Sequence, residues 1–295
     1  MANLETLIER GERLLARLEH WTGDVSEPDW SALAFQWRQD AGPWPVGGRG
    51  HLFPIRHPQP VTLDDLLNLD RQKQALVQNT RQFLAGLPAN NALLSGARGT
   101  GKSSLVKALL TAFATEGLRM VEVDKAHLVE LPMIVAPLRD RPERFLVYTD
   151  DLSSEAGDPA YKALKAILDG SLQAPPDNVL IYATSNRRHL MPEFMAENDA
   201  ARVIEGELHP GEAIEEKVSL SERFGLWLSF YPFTQEEYLA VVRHWIERLD
   251  ERGEALAALD EKAAMQFATQ RGSRSGRVAR QFAVDWVGRR GLDRG

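Results

Sequence analysis

One stretch of eight residues constrains this chain more than any other. Gly96-Ala-Arg-Gly-Thr-Gly101-Lys102-Ser103 fits the pattern Gly-x-x-x-x-Gly-Lys-Ser/Thr in full. Glycines at these positions let successive backbone N–H groups turn inward around an anion. The stretch is preceded by the apolar run Asn91–Ser95 and followed by a helical pattern from Lys102 to about Thr115. A strand, a glycine loop and a helix in that order aim the helix N-terminus, with its partial positive charge, at the same anion. An incidental glycine-rich turn would lack this context.

The flanking sequence alternates short apolar strands with helices. Leu118–Val123, Phe145–Thr149, Val179–Thr184 and Leu226–Phe230 read as further strands. Helices are expected from Asp70 to about Leu84 and from about Pro159 to Leu168. Strands this apolar, separated by helices, belong in a parallel sheet covered on both faces. From Thr234 onward only helices are expected, opened by a capping box of Thr234 and Glu237. Residues 3–21 have the spacing of an amphipathic helix, and Trp30–Trp37 is a second short apolar stretch. Residues 41–60 hold five prolines and four glycines, which predicts an irregular linker. The expected organisation is an N-terminal helical extension with linker over 1–60, a nucleotide-binding core over 61–232 and a helical lid over 233–295.

Lys102 would reach the β and γ phosphates of ATP, and Ser103 would ligate magnesium. Gly96, Ala97, Arg98, Gly99, Thr100, Gly101, Lys102, Ser103 and Ser104 are the candidate nucleotide-binding residues. Such a loop needs an acid at the end of a neighbouring strand to hold the metal. Asp150 and Asp151, directly after Phe145-Leu-Val-Tyr-Thr149, supply one. Asp150 is the candidate on the magnesium side, and Asp151 the candidate that orients or deprotonates the attacking water. Asn186, at the end of Ala183-Thr-Ser-Asn186, would position water or sense the γ-phosphate. Either acid or the asparagine read alone fits an ordinary turn.

Taken in order, these motifs resemble the AAA+ superfamily. The order is the phosphate loop, the acidic pair, the strand ending at Asn186, Ser219-Leu-Ser-Glu-Arg223-Phe224-Gly, and a helical C-terminus with Gly272-Ser-Arg-Ser-Gly-Arg277. More narrowly, Leu69-Asp-Arg-Gln-Lys-Gln, Asp150-Asp-Leu-Ser and Leu220–Phe230 resemble a bacterial group of AAA+ ATPases described as a domain of unknown function. The resemblance covers roughly residues 50–290. It implies a five-stranded parallel core in which the Asn186 strand lies between the phosphate-loop and Asp150 strands, with a small lid from near Thr234. It implies that Arg223 is an arginine finger offered to a neighbouring subunit, hence a homo-oligomer. It implies that Arg277, or Arg274 nearby, is the lid's sensor arginine. The superfamily usually carries Asp-Glu where this chain has Asp150-Asp151. The shorter side chain reduces reach to the water, so Glu155 is an alternative base and slow hydrolysis, or a nucleotide-gated switch, is expected.

Composition narrows the partners. The formal net charge is −7 over 295 residues, which works against non-specific attraction to nucleic acid. Arg271, Arg274, Arg277 and Arg280 recur at three-residue spacing, with Arg289, Arg290 and Arg294 beyond. Without aromatic interleaving, a role toward ATP and an adjoining subunit is preferred over nucleic acid. There is no cysteine, no apolar run near the roughly 20 residues that span a bilayer, and no signal peptide at Met1. A cytoplasmic location without membrane contact is expected. Four of the seven tryptophans (Trp21, Trp30, Trp37, Trp44) fall in the first fifty residues, where packing of an N-terminal cap is the expected role. The functions in contention are an ATPase acting on an unknown protein partner, a DNA-associated loader and a small-molecule kinase.

Overall fold

The computed structural model describes residue 12, residues 27–39, 50–152, 163–165, 168, 176–186, 223–250 and 253–292. Its centre is a seven-stranded sheet: β1 (Ala34–Gln39), β2 (Gly50–Ile55), β3 (Ala92–Gly96), β4 (Leu118–Glu122), β5 (Arg144–Thr149), β6 (Val179–Ser185) and β7 (Leu226–Phe230). The strand order is β2-β1-β4-β5-β6-β3-β7. Every neighbouring pair is parallel except β1 with β2. The strand ending at Asn186 therefore lies between the phosphate-loop strand and the Asp150 strand, as the resemblance implies.

The sheet is wider than the five strands expected. Residues of the N-terminal apolar stretch and of the supposed linker form β1 and β2, which extend the sheet beyond β4. Phe35 and Trp37 point into the core while Gln36 and Arg38 face out. Pro54 sits in β2, at the sheet margin, where a missing N–H costs no ladder bond. Trp30 packs against Phe35 and Phe145, with ring centroids 5.6 and 6.1 Å apart, so these aromatics cover the sheet rather than a helical cap. The expected helix over 3–21 lies outside the described residues apart from Glu12, and the helix expected over Pro159–Leu168 lies largely outside them.

Seven α-helices accompany the sheet in chain order among the described residues, apart from 3-10 turns: α1 (Asp70–Leu84), α2 (Lys102–Phe113), α3 (Leu131–Val135), α4 (Gln235–Leu249), α5 (Glu254–Ala257), α6 (Glu261–Gln270) and α7 (Gly276–Leu292). Alternation along β5 assigns the two faces of the sheet. Phe145 and Val147 join Phe35, Val121, Ile181 and Leu131 on one face. Leu146 and Tyr148 join Leu76, Leu105, Leu109 and Tyr182 under α1 and α2 on the other. A separate cluster including Tyr238, Ile246, Ala264 and Phe282 forms the helical lid. Its first helix opens on the expected capping box: the Glu237 N–H donates to Thr234 Oγ1 at 3.2 Å, and the Thr234 N–H to Glu237 Oε2 at 2.7 Å.

The lid is tied to the core beside the phosphate loop. Asp65, nearly buried, accepts hydrogen bonds from Thr62 and from Arg248 of α4, and His244 Nε2 lies 3.5 Å away. Burial works to raise the Asp65 pKa, but the donors from Thr62, Arg248 and His244 hold it below the usual carboxylate range. Asn68 Nδ2 donates to the Glu237 carbonyl at 3.2 Å. The proposed lid starting near residue 233 therefore meets the core through residues 62–69.

Candidate functional site

The loop between β3 and α2 is shaped by glycines with positive φ. Gly96 has φ 136°, and a Cβ there would stand 1.9 Å from the Phe230 carbonyl oxygen of β7. Gly101 has φ 101° and caps α2, with Leu69 within 2.9 Å of where its Cβ would be. Gly99, at φ 75°, faces the lid: a Cβ would approach Ser275 Oγ to 2.8 Å and the Arg277 Cβ to 3.4 Å. Thr100 folds its hydroxyl back onto the Ala97 carbonyl at 2.8 Å, tightening the turn. Ser104 lies half-buried on the first turn of α2.

Lys102 is the charged centre of this loop. Its ammonium donates to the carbonyls of Gly96 and Ala97 at 2.9 and 2.7 Å, and the side chain is almost wholly buried. Desolvation pushes its pKa down to about 8; Asp150 and Asp151 oppose the shift, while Arg277 and Arg98 add to it. A cation held in so little solvent is poised to gain from an anion.

Across the loop, β5 and β6 deliver the acidic pair. Asp150 Oδ1 accepts from Ser103 Oγ at 2.7 Å and from Thr184 Oγ1 at 2.5 Å. Burial raises its pKa, but these hydrogen bonds prevail and hold Asp150 ionised below its ordinary value. Asp151 has the left-handed φ of 54°, a conformation that costs a residue with a Cβ and that Asp tolerates better than most. The turn is pinned by the Asp151 N–H to Thr184 Oγ1 at 3.1 Å and the Leu152 N–H to the Thr184 carbonyl at 2.7 Å. The Asp151 carboxylate is met from two sides: Asn186 Nδ2 donates at 2.7 Å and Arg98 Nη2 lies 3.7 Å away.

Lys102, Ser103, Asp150, Asp151 and Asn186 thus converge at the ends of three adjacent strands. Sequence reasoning passed over Thr184, which organises both acids, although its place two residues before Asn186 on the same side of β6 points to it. It also treated Arg98 as a loop residue only. Glu155 lies outside the described residues.

The lid arginines divide. The Arg277 backbone N–H reaches the Gly99 carbonyl at 3.4 Å, and its charge is felt by Lys102. Arg274 lines a cleft of about 800 Å³ with Arg98, Asn186 and Met265. Arg271, Arg274, Arg277 and Arg280 do not share one helix: α7 begins at Gly276, so Arg271 and Arg274 precede it. Nor are the arginines of this region free of aromatics. Arg271 lies over Phe267 at 5.2 Å, Arg280 over Trp245 at 4.8 Å and Arg290 over Trp286 at 4.9 Å.

Arg223 stands apart from this cluster. Gly225, two residues on, packs so closely on Asn90 that a Cβ would meet Asn90 Oδ1 at 2.2 Å. Leu226 then pairs with Ala92, at the start of the strand whose far end is Gly96. Arg223 therefore sits at the end of the strands opposite its own phosphate loop, about 13 Å of strand away at 3.3 Å per residue.

A mostly parallel sheet with this strand order, a phosphate loop after β3, an acidic turn after β5 and an all-helical lid define the AAA+ arrangement of the P-loop nucleotide-binding fold. Residues 31–290 match the family described as a protein of unknown function, DUF815, and the chain belongs to that family. Among solved structures it is similar to the RuvB Holliday junction branch migration motor of Thermotoga maritima, at 16% identity over 76% of this chain and 63% of that one, with a TM-score of 0.42. It is also similar to the Aeropyrum pernix ORC1 protein in complex with DNA, at 16% identity over 74% of this chain and 59% of that one, with a TM-score of 0.49. In both cases the chain spans less than two thirds of the other's length. No curated protein sequence matches it. Among the described residues, no helix is long and apolar enough to cross a membrane.

Proposed function

We propose that this protein binds ATP with magnesium and hydrolyses it, and that it uses the cycle to remodel or regulate a macromolecular partner as a homo-oligomer. The observation that carries this reading is the convergence of Lys102, Ser103 and Asp150 with Asp151 and Asn186 around one glycine loop. The donor set fits magnesium: a serine hydroxyl and one ionised carboxylate, both oxygen, leave room for phosphate and water ligands. Ser103 and Asp150 would hold the ion, and bound magnesium would neutralise charge on the β and γ phosphate oxygens. Lys102 would exchange its two loop carbonyls for phosphate oxygens. Arg277, beside Gly99, would approach from the lid.

Asp151 would receive the proton of the attacking water, and Asn186 would hold that water in line. To do so Asp151 must exchange its present contacts with Asn186 and Arg98. Its strained backbone supports a functional role, since such conformations persist where the surrounding structure enforces them. Arg223, too far from its own site, would serve a neighbour. Substituting each acid separately tests the assignment. Asp150→Asn should weaken magnesium-dependent ATP binding. Asp151→Asn should leave binding nearly intact and slow turnover by ~10²-fold or more, as for a lost proton acceptor. Normal turnover in Asp151→Asn would overturn the role of that residue.

One feature favours a second reading, a small-molecule kinase: the cleft of about 800 Å³ beside Arg98 and Asn186 has room for an acceptor. Hydrolysis with no acceptor present separates the two, because a kinase consumes ATP only when one is supplied. The arginine–aromatic pairs of the lid suit nucleic-acid phosphates and bases, but in each pair the arginine already covers an aromatic face, so the DNA-loader reading ranks below both.

A further inference from the structure

Two tyrosines on neighbouring strands are buried on the same face of the sheet, and only one is satisfied. The Tyr182 hydroxyl takes a hydrogen bond from Asn79 Nδ2 at 2.9 Å and shares another with Thr80 Oγ1 at 3.0 Å. The Tyr148 side chain is fully buried, and its hydroxyl makes no hydrogen bond. Leaving such a group unpaired is costly, and a phenylalanine would fill the same space without that cost.

The place of this hydroxyl gives it a use. Tyr148 lies on β5 and packs on the face that carries α2, and Asp150, just past the strand's end, turns to the same side, where Ser103 of α2 meets it. Ser103 and Lys107 are four apart on α2 and look back at the same strand: Lys107 Nζ is 6.0 Å from the Tyr148 ring and 3.9 Å from Glu122. The hydroxyl lies close enough to the Ser103 hydroxyl and the Asp150 carboxylate to be influenced by both. Both hydrogen bonds to the Asp150 side chain, from Ser103 and Thr184, fall on Oδ1.

We propose that Tyr148 is a positioning residue for the magnesium corner, its hydroxyl donating to the Asp150 carboxylate when Ser103 and Asp150 close on the ion. It does not touch nucleotide. It fixes the rotation of the carboxylate and takes up the charge that Ser103 ceases to serve when its oxygen turns to the metal. Groups that orient a metal-binding carboxylate from behind are worth about 10- to 100-fold in metal affinity. This inference rests on the proposed magnesium–ATP function.

The test is Tyr148→Phe, read in two ways. Thermal unfolding of the nucleotide-free protein should give a Tm equal to or above that of the unsubstituted chain. Binding of a fluorescent ATP analogue, titrated with magnesium, should need about tenfold more magnesium for half-maximal effect, with magnesium-free binding unchanged. A lowered Tm would overturn the proposal, because the hydroxyl would then be satisfied in the resting structure. An unchanged magnesium requirement would overturn it alone. If the unsubstituted protein binds no analogue with magnesium, the proposed function falls and this inference with it.

Discussion

At the scale of single residues, the site is governed by Lys102, a cation kept charged in nearly dry surroundings by two carbonyls and two carboxylates. Its pKa near 8 sets a pH window for nucleotide binding. Below that value the ammonium is present and pairs with phosphate; as pH rises through it the resting site loses the proton. Bound phosphate favours the charged form, so binding above pH 8 must draw a proton from solvent. We predict that ATP affinity falls above about pH 8, approaching tenfold per pH unit. Calorimetry in two buffers of different ionisation heat should register proton uptake at pH 8 and none at pH 6.5 from this residue. Absence of uptake at pH 8 would contradict the assignment of Lys102. The lysine itself was legible from the motif, because its role is written in local spacing. Its depressed pKa was not, because it comes from burial, opposed by Asp150 and Asp151 and helped by Arg277 and Arg98, and only folding brings these about. Tyr148 was hidden differently: in a run of apolar residues it reads as core, and its idle hydroxyl becomes visible only once its neighbours are known.

At the scale of elements, β3 and β7 lie so close that the loop's first glycine has no alternative. Gly96→Ala combines a positive φ with a Cβ 1.9 Å from a backbone oxygen, and backbone cannot yield as a side chain would. Gly117, at φ 93°, has nothing within 4 Å of its would-be Cβ. We predict that Gly117→Ala costs about 1–2 kcal/mol, the price of the left-handed conformation alone. Gly96→Ala should cost more than about 4 kcal/mol or abolish folding. Urea denaturation of the two variants measures the difference, and equal midpoints would mean that the β3–β7 approach is looser than described. Strands β3 to β7 were recoverable from apolar runs, since both faces of each are covered. β1 and β2 were obscured by the prolines and glycines around them, yet Phe35-Gln-Trp37-Arg alternates with period two, a strand signal that the proline count overrode. The clasp of Asp65 with Arg248 spans 183 residues of sequence and leaves no local trace.

At the scale of the whole molecule, the position of Arg223 is what points to assembly. An arginine at the opposite end of the strands from its own phosphate loop is badly placed to stabilise charge developing there, but in the proposed oligomer a neighbouring copy would bring it to a second site. Because Lys102, Ser103 and the loop amides would hold the ground-state phosphates, such an arginine should affect turnover far more than affinity. We predict that Arg223→Ala binds ATP normally and hydrolyses it at least ~10³-fold more slowly. Mixing it with Lys102→Ala should restore some activity, since one variant keeps the site and the other the arginine. Steady-state assays of the mixture against each variant alone provide the check. No recovery, together with a specific activity independent of concentration, would place the arginine's role within one copy or remove it from catalysis.

The functional expectations depend on the glycine loop taking up Mg-ATP through Lys102. Calorimetric titration of Mg-ATP into the full chain and into Lys102→Ala, both shown to be folded by circular dichroism, asks this directly. The account predicts saturable binding by the unsubstituted protein and none, or a loss of at least ~10²-fold in affinity, in the variant, since a buried charge-assisted contact to phosphate is worth about 3 kcal/mol or more. Equal affinity in the two proteins would contradict it.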